Sequence, residues 1–136
     1  MIGDKIIHLA DDDEDDRNMI KEALEEANAD VYIIEAENGL ELLRNIQDSE
    51  DLSETVVIVD MNMPSMNGLE TIQALRSDPR CSSLPALVLT TSNDPKLKLE
   101  AIKAGANDFF TKPTSIRVLN EIANDIVGRF FDFGVA

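Results

Sequence analysis

Five polar residues in this chain each stand just after a short apolar run, and their types are those that handle phosphate. Asp11 and Asp12 follow the run Lys5–Ala10, Asp60 closes Thr55–Asp60 in "VVIVDMNMPSMNG", Thr90 lies at the end of "LVLT", and Lys112 follows Asp108–Thr111 in "FFTKP". Three carboxylates gathered in one place repel one another and raise each other's pKa unless a cation neutralises them. All the donors are hard oxygens, with no histidine or thiol beside them, so Mg²⁺ is favoured, with Mn²⁺ as its substitute, over zinc or copper. Lys112 adds a positive charge and Thr90 a hydroxyl donor. A metal and a lysine to neutralise oxygens, a hydroxyl to hydrogen-bond one and an aspartate as nucleophile together outline a pocket for a phosphoryl group.

The elements that would bring these residues together are legible in the hydrophobic pattern. Lys5–Ala10, Val31–Ala36, Thr55–Asp60, Pro85–Thr91 and Asp108–Thr111 are short and rich in branched residues, the length and composition of strands. They are nearly continuous in apolar residues rather than alternating, which predicts a parallel sheet covered on both faces. Between them apolar residues recur every three or four positions: Met19, Ile20, Ala23, Leu24 and Ala27; Leu40, Leu43 and Ile46; Leu69, Ile72 and Leu75; Leu97, Ala101 and Ala104. A last helix is predicted from about Thr114 to Phe131, with Ile116, Leu119, Ile122, Ala123, Ile126 and Val127 inward. Five strands alternating with five helices predict right-handed crossovers and an α/β doubly wound sandwich. In such a sheet ligands bind beyond the carboxyl ends of the strands, where the five polar residues lie.

Composition narrows the function further. The 136 residues, 43% of them apolar, suffice for one domain with one core. The net charge of −15 is uneven: residues 1–60 hold 19 Asp and Glu against 4 Lys and Arg, and residues 61–136 hold 8 of each. So acidic a chain is repelled by phosphate backbones and anionic lipid, which argues against direct nucleic-acid or membrane binding. The absence of a long apolar stretch or a signal-like N-terminus, and a single cysteine, Cys81, lead to the expectation of a cytoplasmic protein.

The stretches "LADDDEDDR", "VIVDMNMPSMNG", "LVLTTS" and "FFTKP", in this order and at these intervals, resemble the receiver domain of two-component response regulators. The resemblance spans about residues 4–128, and residues 1–136 are expected to form a single receiver domain with no effector domain. It implies a flavodoxin-like (βα)5 fold with a five-stranded parallel sheet in the order 2-1-3-4-5. It further implies that Asp60 accepts a phosphoryl group from a sensor histidine kinase or phosphotransfer protein. Mg²⁺ would be held by Asp11, Asp12, Asp60 and the backbone carbonyl of Asn62. Lys112 would pair with the phosphoryl oxygens, with the Lys112–Pro113 bond cis, and Thr90 would move toward the phosphoryl group on activation. Phe109 stands where many receivers carry an aromatic switch, often tyrosine, and lacks the hydroxyl. Thr91 falls where a small residue is usual, and Asn62 and Ser92 are the positions expected to tune attack by water. The output of such a switch is binding to a downstream protein through the face of the fourth helix, fifth strand and fifth helix, where Lys96, Lys98, Lys103 and Arg117 make a basic patch.

Other residues have plainer roles. Asp13, Glu14, Asp15 and Asp16 are expected to start the first helix, where carboxylates cap free N–H groups and favour the dipole. His8 is expected to be a strand residue and Met61, Met63 and Met66 gap-fillers. Phe130, Phe131 and Phe133 either dock the last helix on its own sheet or meet a partner or second copy, a homodimer through the C-terminal half. A Mg²⁺-dependent phosphohydrolase using Asp60 is the alternative function. The haloacid dehalogenase type needs an aspartate two residues after the nucleophile, and Asn62 is there. An unphosphorylated scaffold is a third reading.

Overall fold

The computed structural model describes residues 5–131. β1 (Lys5–Ala10), β2 (Val31–Ala36), β3 (Thr55–Val59), β4 (Ala86–Thr90) and β5 (Asp108–Thr111) alternate with α1 (Glu14–Ala27), α2 (Gly39–Gln47), α3 (Gly68–Ser77), α4 (Pro95–Ala104) and α5 (Ile116–Phe130). The strands form one sheet in the order β2-β1-β3-β4-β5, and every pairing is parallel. This is the flavodoxin-like doubly wound arrangement expected from the sequence.

The period of two along each strand divides the core into two layers. Val56 and Ile58 of β3 join Ile7, Leu9, Leu87 and Leu89 beneath α1 and α5. Val57 and Val59 point the other way, with Ala10, Ala86 and Val88 beneath α2, α3 and α4. β3 and β4 are buried at every position, whereas the edge strands β2 and β5 are partly open. Phe131 docks in the α1/α5 layer, and Phe130 lies under the Arg129 guanidinium, 4.9 Å from its ring centre. Phe133 lies outside the described residues.

Three apolar side chains expected inward are exposed: Met19, Leu40 and Ile116, the last at 70%. The stripe that a helix buries is narrower than its apolar stripe, because only Ile20, Ala23 and Leu24 of α1 and Leu119, Ala123, Ile126 and Val127 of α5 are buried among that face's residues. Met19 and Ile116 instead flank the groove between these two helices. Asp60, Pro85 and Thr91 fall just outside the strands. No helix among the described residues is long and apolar enough to cross a membrane.

Candidate functional site

The parallel register aligns the carboxyl ends of β1, β3, β4 and β5 along one edge of the sheet. Asp11 continues β1, its N–H donating to Ala36 O at 3.0 Å, and Asp60 continues β3, its N–H donating to Ala10 O at 3.0 Å. Lys112 continues β5 and donates its N–H to Thr90 O at 2.6 Å. Sheet hydrogen bonds thus run one residue past the strands and carry each functional side chain to the same edge. The loop after Asp60 turns tightly, with Ser65 at φ +66°, and returns so that Gly68 N–H donates to Met61 O at 3.2 Å. A Cβ at Gly68 would overlap the carbonyl oxygen of Asp60. Glycine here lets α3 begin directly against the backbone of Asp60.

Asp60 is 6% exposed, and both of its carboxylate oxygens have partners. Oδ1 accepts from Thr90 Oγ1 at 2.6 Å and from Asn62 N–H at 3.1 Å. Oδ2 accepts from Lys112 Nζ at 2.8 Å. The same ammonium lies 2.7 Å from Asp11 Oδ2 and 2.9 Å from Asp16 Oδ2. Burial alone would lower the Lys112 pKa, but the close carboxylates of Asp11, Asp60 and Asp16 outweigh it and hold the pKa well above its ordinary value. Lysine itself is therefore one cation that neutralises the carboxylate cluster.

Asp11 remains the least satisfied member. Its side chain is 1% exposed, and burial raises its pKa in spite of Lys112 and the Asp13 N–H. Oδ1 accepts that N–H at 3.0 Å. Oδ2 has the close ammonium but no aligned hydrogen bond. An acceptor oxygen in that condition fits a metal ion, as does its company. Asp11, Asp12 and Asp60 can each bring one carboxylate oxygen within 4.8 Å of the others, Asp12 from the solvent side. An all-oxygen set of this size suits Mg²⁺ or Mn²⁺.

Around this centre, the side chains of Asn62 and Thr91 are exposed at the rim and Ser92 is half-buried. Ser92 Oγ accepts the Asp94 N–H at 3.2 Å. Phe109 is 7% exposed and packs inward within the layer under α2, α3 and α4. One expectation is corrected: no peptide bond among the described residues is cis, so Lys112–Pro113 is trans. A trans X–Pro bond is the lower-energy form by ~0.5–1 kcal/mol, and here it already lets Lys112 reach all three carboxylates.

Sequence reasoning missed two residues. Asp13 is the N-cap of α1 and Asp16 lies in its first turn, both as expected, but Asp16 also contacts Lys112. A helical side chain leans toward the N-terminus of its helix, and Asp16 lies in the first turn of α1, directly after the β1 end. That lean was the available signal. Arg17 follows, donating from Nη1 to Asp11 O at 2.7 Å and from Nε to Glu35 Oε1 at 3.1 Å. It ties the Asp11 backbone to the end of β2.

Comparison with known proteins agrees with this geometry. The family model of the response regulator receiver domain matches residues 7–124. A chemotaxis protein CheY homolog of Campylobacter jejuni is 34% identical over 128 residues, covering 94% of this chain and 96% of the relative. Among solved structures, chemotaxis response regulator CheY4 of Vibrio cholerae superposes with a TM-score of 0.76 at 29% identity, over 90% of this chain and 98% of that one. The Mn²⁺-bound form of response regulator Rcp1 shares the fold, with a TM-score of 0.80 at 21% identity, over 96% and 97% of the two chains.

Proposed function

Because the chain belongs to the response regulator receiver domain family, a family of signalling proteins, we propose that Asp60 is its phosphoacceptor and that the strand-end carboxylates hold the metal the transfer requires. The observation that carries this reading is the pair of restraints on Asp60, Thr90 on one oxygen and Lys112 on the other, beside Asp11 and Asp12.

The phosphodonor is a phosphohistidine of a sensor kinase or phosphotransfer protein, or a small acyl phosphate. A bond forms between an Asp60 carboxylate oxygen and phosphorus as the donor's phosphorus–nitrogen bond, or the phosphorus–oxygen bond of an acyl phosphate, breaks; the departing imidazole keeps the electron pair and takes a proton from solvent, whereas a departing carboxylate keeps the pair as its charge. The product is an acyl phosphate, so the chain promotes its own phosphorylation and, with water as the attacking group, its own dephosphorylation. Asp11, Asp12, Asp60 and the Asn62 carbonyl would hold Mg²⁺, which supplies positive charge for the phosphoryl oxygens. Lys112 turns from the carboxylates to a phosphoryl oxygen, exchanging one anionic partner for another. The Thr90 hydroxyl, now on Asp60 Oδ1, turns to donate to the phosphoryl group. Asn62, Thr91 and Ser92 line the approach of water and offer no charge to obstruct it. The switch reads out through Phe109, which moves between its present buried position and the surface without a hydroxyl to pair in either.

Incubation with Mg²⁺ and acetyl phosphate should add one phosphoryl group, seen by intact mass and absent in Asp60→Asn. Rapid multiple turnover without a stable adduct would favour the phosphohydrolase, and no adduct with any divalent metal would leave a scaffold. The output surface is the face of α4, β5 and α5, where Lys96, Lys98, Lys103 and Arg117 are exposed beside Leu99 and Ile102. A downstream protein with an acidic, partly apolar face suits it. Reversing Lys96 and Lys98 to Glu should weaken that binding roughly tenfold and flatten or reverse its salt dependence, because rim charges act mainly on the association rate and its response to salt; unchanged affinity would rule the surface out.

A further inference from the structure

We propose that Asp16 is a positioning residue that holds Lys112 when the carboxylates of Asp11 and Asp60 turn to a divalent cation, and that it thereby sets the affinity of the site for that cation. The inference rests on reading Asp11, Asp12 and Asp60 as the metal set.

The Lys112 ammonium lies 2.7 Å from Asp11 Oδ2 and 2.8 Å from Asp60 Oδ2. A divalent ion held by Asp11 and Asp60 competes with it for these oxygens. Lys112 cannot simply withdraw: its N–H is fixed to Thr90 O, Pro113 locks the next φ, and its side chain is only 10% exposed. A lysine stranded there without a partner carries the penalty of an unpaired buried charge. Asp16 is the remaining member of its shell, 2.9 Å away, and lies outside the group of oxygens that converge as metal ligands.

The position of Asp16 is fixed independently of Lys112. Its N–H donates to the N-cap carboxylate of Asp13 at 3.1 Å, so the backbone of this first turn is held by a bond that does not involve the lysine. A small cavity of about 30 Å³ is bordered by Asp16, Met19, Ile20, Lys112, Pro113 and Leu119, and by neither Asp11 nor Asp60. It leaves open space beside Lys112 on the Asp16 side. Removing Asp16 leaves Lys112 with no carboxylate but those the cation needs, and the two cations then compete directly.

The test is Mg²⁺ binding by calorimetry to the full chain, before any phosphorylation. Asp16→Asn should weaken Mg²⁺ binding roughly three- to tenfold more than Asp15→Asn, which removes the same charge from the same exposed turn, as expected for coupled neighbouring charges. The excess should vanish in a Lys112→Met background, and Asp16→Glu should restore most of the affinity. Asp16→Ser gives the same reading if Asp16→Asn folds poorly. Equal effects of Asp16→Asn and Asp15→Asn, or an undiminished Asp16→Asn effect without Lys112, would overturn the role of Asp16 alone. Wild-type protein that takes no Mg²⁺ would overturn the reading of the whole site.

Discussion

Two half-buried cations at different places in the sandwich show how the identity of the partners decides what a charge is for. Lys112, at the carboxyl edge of the sheet, faces carboxylates. Arg76, near the end of α3, faces neutral oxygens. Its guanidinium donates to Gly105 O at 3.0 and 2.8 Å, to Leu84 O at 2.7 Å, to Ser82 O at 3.2 Å and to Asn107 Oδ1 at 3.0 Å. Gly105, in the left-handed region at φ +116°, closes α4, and a Cβ there would strike the Arg76 side chain. The planar fork joins the loops that end α3 and α4, and a round metal ion cannot replace its geometry. Carboxylates bind a cation by its charge rather than by a fork geometry, so on the proposed reading the place of Lys112 is exchangeable. A cation among carbonyls fastens the fold, and a cation among carboxylates is the one proposed to be traded for a ligand.

The sharpest way to break this contrast is to remove each cation and ask whether Mg²⁺ compensates. Arg76→Ala leaves several carbonyls without donors and should cost about 3–5 kcal/mol in urea unfolding, unchanged by Mg²⁺ and only partly recovered by Arg76→Lys. Restoration by Mg²⁺ would erase the distinction.

His8 extends the comparison to a base with no partner. It pairs in the sheet with Ile34 and Val57, is 1% exposed, and neither ring nitrogen has a hydrogen-bond partner. Burial lowers its pKa from 6.5 to about 4. The folded state therefore stays neutral where the unfolded chain takes up a proton. The associated stability is complete above pH 6.5 and is lost as pH falls toward 4. At 1.36 kcal/mol per pH unit, His8→Val should gain about 3 kcal/mol on the wild type between pH 7 and pH 4. Parallel pH profiles of the two proteins would place a partner beside His8.

Lys112→Met should show the smallest change in stability and the clearest rescue. Without metal, Asp11 and Asp60 lose their counter-ion and unfolding should become easier by about 1–2 kcal/mol; millimolar Mg²⁺ should restore most of it. A loss that Mg²⁺ does not repair would give Lys112 the structural role assigned to Arg76.

The depth to which each of these features is legible in the chain differs for physical reasons. Strands buried on both faces must be continuously apolar, so β3 and β4 are readable from composition, and whatever polar residue ends them stands out. Asp60 and Thr90 are visible on that ground, and the structure brings them within hydrogen-bonding distance of each other, with Lys112 reaching Asp60 from the edge strand β5. Met19 and Ile116 misled because an apolar period marks a helix without saying how much of it the sheet covers. Arg76 carries no sequence signal, since all but one of its acceptors are backbone carbonyls from two separate loops, and any sequence supplies carbonyls.

By itself, the sequence determines the order of elements, the two-layer core and the chemistry at the strand ends, because these follow from local periodicity and from polar residues placed after apolar runs. The split of the acidic run between strand end and helix start is legible in the sequence, and only the tertiary structure sets Asp16 apart from its neighbours. Asp11 and Asp12 lie with Asp60, Asp13 caps α1, and Asp16 turns to Lys112, 96 residues away in the chain. Neighbouring carboxylates are chemically alike, and what separates their roles is the angle at which α1 leaves the sheet and the reach of one lysine from β5.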